Sequence, residues 1–226
     1  MKKIFTFIVL PIIIVLLGYA IYASIESPVK FNKQKEKREA VAIQRLKDIR
    51  TLQVAFKSKF ARFAPTVDSL IWFYNEGTIL ISKQIGSNDD SLAVDNTAKI
   101  KKKNPKITPE QMMALYEQGE NLVFKIDKDV PVKDTLFNDR PNFVVDSLKL
   151  IPFCGEPVIL NAAIKQVSGV DVPLFEACMP YKSLLVGIEP RQLIINIVAE
   201  RNEQGRYPGL KVGSIDAPNN NAGNWE

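Results

Sequence analysis

The hydrophobic pattern changes character twice along the first third of the chain. A stretch without charge runs for twenty residues, from Ile4 to Ala23, and about 20 apolar residues cross the hydrocarbon core of a bilayer as a helix. Farther on, apolar positions recur in steps of four and three, as in a heptad seam. The seam comprises Ala42, Leu46, Ile49, Gln53, Phe56, Phe60 and Phe63. The pattern predicts a transmembrane anchor over 1–25 and an amphipathic stalk helix over 26–63.

Two other interpretations of the N-terminal stretch stay open. A cleaved secretory signal has an apolar core of only about 7–15 residues, shorter than the stretch here, and a buried helix of a soluble protein is the other alternative. Pro28 is expected to end or kink the membrane helix. Basic residues outnumber Lys2 and Lys3 on the far side of the span, from Lys30 to Arg38. Taken alone, that count opposes export of the head, because basic loops stay in the cytoplasm.

Beyond the stalk, shorter patterns predict an α+β head over 64–206 and an irregular tail over 207–226. Helices are predicted over 67–76, 108–119 and 191–205, where Thr66 and Thr108 are candidate N-caps and Pro109 and Pro190 open helices. Strands are predicted over 78–82, 121–127, 142–153, 157–165 and 172–179 from alternating or β-branched apolar residues. Residues 84–106 are predicted to be an exposed loop. The expected fold is a long amphipathic helix packed on one small antiparallel sheet with additional helices.

Charge is distributed unevenly along the chain. Residues 30–62 hold eleven Lys or Arg against three Asp or Glu, and residues 63–226 hold seventeen against twenty-one. A nucleic-acid arm would use such a basic segment for phosphates, but the apolar seam offers no base-stacking platform, so no nucleic-acid partner is expected. The segment from Lys30 to Arg38 suits attraction to anionic lipid. Its sequence, FNKQKEKRE from Phe31, has no apolar stripe, and packing is expected only from Ala40 onward.

The stalk resembles a known family. The run REAVAIQRLKDIRTLQVAFKSKFARFAPTVDSL, residues 38–70, is similar to the helix of pseudopilins and type IV pilin-like proteins. In those proteins an apolar N-terminal helix continues into an amphipathic one that carries a small head. The resemblance covers about residues 1–76 and implies an exported head. Ile4 stands where the family has Gly before its cleavage point, and Val9 where it has Glu, which favours a membrane protein that shares the stalk without entering a pilus.

Catalytic chemistry finds little support in the sequence. The chain has no histidine, which removes the commonest general base and metal ligand. SPVK, residues 27–30, has Ser-x-x-Lys spacing but lies at the membrane exit. The Asp89–Asp90 pair has no apolar pocket, and Asn219–Asn221 near Asp216 lack the spacing of a calcium loop. No catalytic residue, cofactor or metal site is predicted, and the chain is expected not to be an enzyme.

The two cysteines, Cys154 and Cys178, both lie in apolar, strand-like segments. They are either two separate buried thiols or a candidate disulfide between neighbouring strands, and the bond needs an oxidising compartment. In the chain-entropy view such a loop stabilises by about 3–4 kcal/mol.

The sequence therefore predicts a single-pass protein of the inner membrane with a periplasmic head, acting as a structural or assembly component of the bacterial cell envelope. Its expected partners are the lipid bilayer and other proteins, or a second copy through the stalk helix. The alternative is a membrane-anchored binding module that recognises a soluble ligand without enzymatic activity.

Overall fold

The computed structural model describes residues 10–226 and shows a mixed α/β protein with a long N-terminal apolar helix and two small antiparallel sheets. The helices are α1 (Leu10–Phe60), α2 (Val67–Glu76), α3 (Ser91–Lys103), α4 (Pro109–Glu117), α5 (Tyr181–Leu184) and α6 (Arg191–Glu203). The strands are β1 (Thr78–Ile85), β2 (Phe124–Pro131), β3 (Ile159–Val167), β4 (Val170–Pro180) and β5 (Gly209–Gly213). The first residues of the predicted anchor, 1–9, lie outside the described residues.

Helix α1 is a single element of 51 residues with Pro28 inside it. The sequence predicted an anchor helix and a stalk helix that meet near this proline, but in the structure the two are continuous. At 1.5 Å per residue the helix is about 75 Å long. Among the described residues, its large apolar side chains are exposed from Leu10 to Val29, and Phe31 is the first that is buried.

The chain divides into two compact units. The first unit combines α1 up to Lys57 with residues 61–70 and 144–226. Its sheet has the order β3-β4-β5 with antiparallel pairing throughout. Because β4 is central, most of its second half, from Leu174 to Met179, is buried.

The second unit comprises residues 58–60 and 71–143. Strands β1 and β2 form its two-stranded antiparallel sheet, in which Thr78 lies opposite Pro131 and Ile85 opposite Phe124. Helices α3 and α4 connect the two strands. A small core of Ile85, Met112, Leu122 and Phe124 holds the unit together.

The predicted loop over 84–106 is wrong, because it contains helix α3. The Asp90 side chain accepts hydrogen bonds from the backbone N–H groups of Leu92 and Ala93, which satisfies donors at the helix start. Ala93 and Thr97 are buried one turn apart. The lysine run at 101–103 forms the last turn of the helix, where positive charge complements the helix dipole.

Two further expectations need correction. The predicted strand over 142–153 contains instead the 3₁₀ helix Val145–Lys149, whose buried Val145 and Leu148 are three residues apart rather than two. The tail, expected to be irregular, contains β5. It also turns back onto that strand, since the Lys211 N–H donates to Asn224 Oδ1 and the Asn224 N–H donates to the Lys211 carbonyl.

Candidate functional site

The heptad seam faces the interior of the protein. Ala42, Leu46, Ile49 and Gln53 are fully buried, and Phe56 and Phe63 are nearly so, whereas Phe60 is 41% exposed. Phe63 lies beyond the end of α1, and its ring centroid is 4.7 Å from that of Phe175 on β4. The chain itself therefore covers the seam, and a second copy could reach α1 only through the faces that remain exposed.

Burial along α1 begins earlier than the sequence suggested. Phe31 is only 1% exposed, although the segment from Lys30 to Glu39 was expected to be solvated. One turn on, Lys35 Nζ lies 3.2 Å from Glu39 Oε1. The protein thus covers one face of α1 from Phe31, two residues past Val29, the last of the exposed apolar side chains in its N-terminal part.

Tyr181, the first residue of α5, is the centre of a polar cluster beside this part of α1. Its hydroxyl donates a hydrogen bond to the Glu39 carboxylate. Lys35 and Arg201 both lie against its ring, with the Arg201 guanidinium 4.9 Å from the ring centroid. Burial, together with the neighbouring Glu39 carboxylate, raises the pKa of the Tyr181 phenol well above its usual range. The phenol therefore stays protonated and keeps its hydrogen bond to Glu39.

Three arginines of α1 donate hydrogen bonds to backbone carbonyls elsewhere in the first unit. Arg38 Nη1 donates to the carbonyls of Leu184 and Val186, at 3.0 and 2.7 Å. Arg45 donates to the Leu150 carbonyl. Arg50 donates to the Asn221 carbonyl and forms an ion pair of 2.7 Å with Glu226. The hydrogen bond from Arg50 to the Glu226 carboxylate is the main reason that the pKa of this carboxyl is lowered. Part of the basic charge of the stalk is thus used for intramolecular contacts.

A groove of about 720 Å³ lies between α6 and the loop that follows α5. Its base is formed by the buried side chains of Ile188, Ile194 and Val198, and Val186 and Ile195 are half-exposed at its rim. Lys182, Glu189, Arg191 and Asn202 add polar groups. Ligand pockets in proteins commonly measure about 300–1,000 Å³ and combine apolar walls with a few polar groups. This groove is the candidate binding site of the first unit.

The sequence contains one signal for the groove, an isoleucine that lies outside the buried apolar stripe of α6. Helix α6 was predicted from its apolar positions, but Ile195 lies off the buried stripe of Ile194 and Val198 and is 51% exposed. An exposed isoleucine next to Val186 indicates an apolar surface. That reading requires knowing that the loop after α5 lies beside α6, which only the structure shows.

The candidate disulfide is not formed, and both cysteines are free. Cys178 is on β4, where its cross-strand neighbours are Ile159 on β3 and Lys211 on β5. Cys154 precedes β3, in a turn where its Sγ accepts from the Glu156 N–H at 3.4 Å. A bond between neighbouring strands needs both cysteines at paired positions, and Cys154 is not on a strand.

We expect the two thiols to differ sharply in alkylation. Burial raises the pKa of the Cys178 thiol from 9.0 to about 12, so its thiolate fraction at about pH 8 falls by roughly a thousandfold. Maleimide treatment of the folded protein at that pH should label Cys154, which is half-buried, and leave Cys178 unmodified. Mass spectrometry of the intact protein measures the number of labels. Cys154→Ser should abolish labelling and Cys178→Ser should not change it; the reverse pattern would contradict this assignment.

The remaining sequence candidates have structural roles or stay apart. Asp90 caps α3 and also accepts from Asn121 Nδ2 at 2.6 Å, and this hydrogen bond is the main reason that the pKa of the Asp90 carboxyl is lowered. Ser27 and Lys30 lie within α1. Within residues 10–226, no group of three or more Cys, Asp or Glu side chains could hold a metal ion.

Comparisons with models of protein families, with curated proteins and with solved structures found no match for this chain. The functional inference therefore rests on the division of α1 into an exposed and a buried part, on the arginine contacts and on the groove. Of these, the division of α1 places the strongest physical constraint on where the protein can reside.

Proposed function

We propose that this chain is a single-pass membrane protein that acts as a structural or assembly component of the bacterial cell envelope, with its head on the periplasmic side of the inner membrane. One observation carries the proposal: within a single helix, the large apolar side chains from Leu10 to Ile25 are exposed, whereas from Phe31 onward one face of the helix is buried in its own folded unit. The first part of the helix presents apolar side chains to its surroundings, and a lipid bilayer is the environment in which such a surface is stable.

The exposed part of α1 has the dimensions and polarity of a membrane span. The described part of the predicted anchor, residues 10–25, extends for about 24 Å as a helix, most of the thickness of a hydrocarbon core. The most apolar 18-residue window has a mean hydropathy of 1.8 and is not buried by the protein. Soluble proteins rarely expose a contiguous apolar patch of more than a few hundred Å². Insertion into a bilayer removes this surface from water.

The continuity of α1 supports a structural role. Span and head share one helix, and Phe31 is buried two residues past Val29, so there is no flexible linker between the span and the first unit. Movement or tilt of the span is therefore transmitted directly to that unit. The resemblance of residues 38–70 to pilin-like stalks, in which one helix serves as both anchor and scaffold, favours the same interpretation.

Self-association, if it occurs, should use the exposed faces of α1. The seam residues from Ala42 to Phe56 are covered, but Val41 and Val54 are exposed on the same helix, as is the whole described part of the span. Contacts between spans in the bilayer, or at either of these two exposed positions, which flank the seam on opposite sides, are the proposed routes to protein partners. Crosslinking in cells from cysteines placed at Val41 or Val54 tests these routes.

The groove favours a second candidate function, that of a membrane-anchored binding module. Its volume and its mixture of apolar walls and charged rim are typical of ligand sites. A binding module would show a ligand-dependent increase in melting temperature without forming crosslinked assemblies. An assembly component would form crosslinks without such a ligand.

Placing charges in the span tests membrane anchoring. The double variant Ile14→Lys/Leu17→Lys should lose its retention in the membrane pellet after alkaline extraction. Each lysine near the centre of a span costs about 2.5–3.5 kcal/mol on insertion scales. Val54→Lys, on an exposed face of the same helix, is the matched control and should remain in the pellet. Release of the unaltered chain by alkaline extraction would contradict the proposal, and a reporter fused after Glu226 would determine the side on which the head lies.

A further inference from the structure

We propose that the groove beside α6 binds an anionic phospholipid of the membrane that α1 crosses. In this arrangement Lys182 and Arg191 contact the lipid phosphate, and Val186, Ile188 and Ile195 contact its glycerol and adjoining methylene groups. The inference rests on the proposed membrane anchoring and names the ligand class for the groove.

The position of the groove along α1 is the first argument. The Val186 carbonyl, at the rim of the groove, accepts a hydrogen bond from Arg38, thirteen residues past Ile25, the end of the predicted anchor, which is about 20 Å along the helix axis. Phe31 is already buried six residues past Ile25, about 9 Å along the axis. The headgroup layer extends about 5–7 Å beyond each side of the hydrocarbon core. The folded unit therefore begins close to the outer edge of that layer, and the groove lies about 10–15 Å beyond it.

Charge is the second argument. Lys182 and Arg191 are both exposed at the groove, and within residues 10–226 neither side chain forms an ion pair. Glu189, the acidic side chain of the groove, accepts a hydrogen bond from the Arg191 backbone N–H at 2.9 Å. A guanidinium can hold a phosphate through two parallel hydrogen bonds. Two unpaired cations beside an apolar wall therefore suit a ligand with an anionic head and an apolar body.

The same features argue against a second copy of the chain in the groove. A symmetric contact of two grooves would bring together the Lys182 and Arg191 side chains of both copies, four cations against two Glu189 carboxylates, and such an excess of like charge opposes association. The bilayer, in contrast, is always within reach, because the continuous helix holds the groove beside it. Tethering keeps the local concentration of a membrane lipid far above that of a soluble amphiphile.

The basic residues of α1 on the membrane side of Arg38 extend this surface. Lys30, Lys33 and Lys37 are exposed, and juxtamembrane lysines attract anionic lipid. Their attraction is diffuse and is expected at any membrane exit of this composition. The groove differs from these lysines because it also has an apolar wall. We therefore expect the groove, and not the lysines of α1, to retain one lipid molecule and to prefer an anionic headgroup.

The test uses the full chain in uncharged dodecyl maltoside micelles, with dioleoylphosphatidylglycerol and dioleoylphosphatidylcholine as probes. Native mass spectrometry counts the retained lipids, and thermal unfolding measures stabilisation. We expect one phosphatidylglycerol to be retained about tenfold more tightly than phosphatidylcholine, as suits charge-assisted contacts. Lys182→Gln/Arg191→Gln should remove this preference. The control Lys101→Gln/Lys102→Gln removes the same charge from exposed positions at the end of α3 and should keep it.

Ile195→Gln tests the apolar part of the contact. Loss of the apolar rim should weaken the retention of both lipids while the protein stays folded. Glycerol 3-phosphate alone should give no stabilisation if the occupant is a lipid. The proposal is overturned if both lipids are retained equally, if the Lys182/Arg191 variant keeps its preference, or if the lysine-run control loses it as well. It is also overturned if crosslinks through Ile195 reveal a second copy in the groove. Alkaline extraction of the unaltered chain, done in parallel, shows whether anchoring has failed or only the groove assignment.

Discussion

Replacement of Gln53 with alanine is expected to lower the free energy of unfolding of the first unit by about 2–5 kcal/mol. Gln53 is fully buried on α1 and makes two hydrogen bonds to one residue. Its Nε2 donates to the Ala64 carbonyl at 2.9 Å, and its Oε1 accepts from the Ala64 N–H at 2.8 Å. Ala64 is itself completely buried, so the variant leaves a buried donor and a buried acceptor without partners. Each unsatisfied group costs about 1–3 kcal/mol.

Gln53→Leu separates the hydrogen bonds from the packing. Leucine fills a similar volume but provides neither a donor nor an acceptor, so its cost should approach that of alanine. Gln192→Ala is the matched control, because Gln192 is exposed on α6 and its side chain donates a hydrogen bond to Asn196 on the same helix. Surface changes of that kind stay within about 0.5 kcal/mol.

Fluorescence of Trp225, which belongs to the first unit, reports this unfolding transition in a Trp72→Phe background. Trp72 is 54% exposed and lies in the second unit, so its replacement should leave the first unit unchanged. Denaturant titration of the full chain in uncharged micelles gives the difference in free energy between variants. Equal small effects for Gln53→Ala and Gln192→Ala would show that the Gln53 side chain does not hold the turn after α1.

The partner of Gln53 could not be predicted from the spacing of apolar residues in the stalk. The four-and-three spacing placed this glutamine on the seam, and the structure buries it there. The pattern gives no indication of why a polar side chain occupies an interior position. The reason lies in the turn after α1, where Ala64 needs partners for both of its backbone groups. A contact between a helix and the turn that follows it depends on three-dimensional geometry, not on periodicity.

Local signals predicted helices α2, α4 and α6 well, whereas the four-residue helix α5 was not predicted. Thr66 caps α2 through its hydroxyl, which accepts from the Ser69 N–H, and Thr108 with Gln111 forms the predicted capping box of α4. Such caps act within three or four residues of sequence, so the sequence shows both partners. Helix α3 was missed although Asp90 is also a local cap. The charges around it were given more weight than the spacing of Ala93, Thr97 and Ile100.

Long-range contacts account for most of the remaining differences. Phe31 was expected to be solvated because no apolar stripe surrounds it, yet the fold supplies neighbours from elsewhere in the chain. Arg38, Arg45 and Arg50 each bind a carbonyl more than one hundred residues away. Strand β5 has only five residues and gains its order from pairing with β4. None of these partners could be identified from the neighbouring sequence.

Two phenylalanines one turn apart on α1 provide the second stability test. The seam predicts that Phe56→Ala and Phe60→Ala destabilise the protein equally, by about 3–5 kcal/mol each, as large-to-small changes in a core do. In the structure Phe56 is 6% exposed and Phe60 is 41% exposed. Phe60 keeps an edge-on contact with Phe73, at 5.9 Å between ring centroids, and such aromatic pairs contribute about 0.5–1.5 kcal/mol.

We therefore expect Phe56→Ala to cost about 3–5 kcal/mol and Phe60→Ala only about 1–2 kcal/mol, because less apolar surface is lost at the half-exposed site. Phe56 belongs to the first unit and Phe60 to the second. The first variant should shift the transition that Trp225 reports, and the other should shift the transition that Trp72 reports. Lys57→Ala, between them, removes a cation–π contact of 5.0 Å with Phe63, worth about 0.5–1 kcal/mol. Equal large losses at Phe56 and Phe60 would favour a seam buried along its whole length, whereas a small loss at Phe56 would mean that α1 is not part of the core.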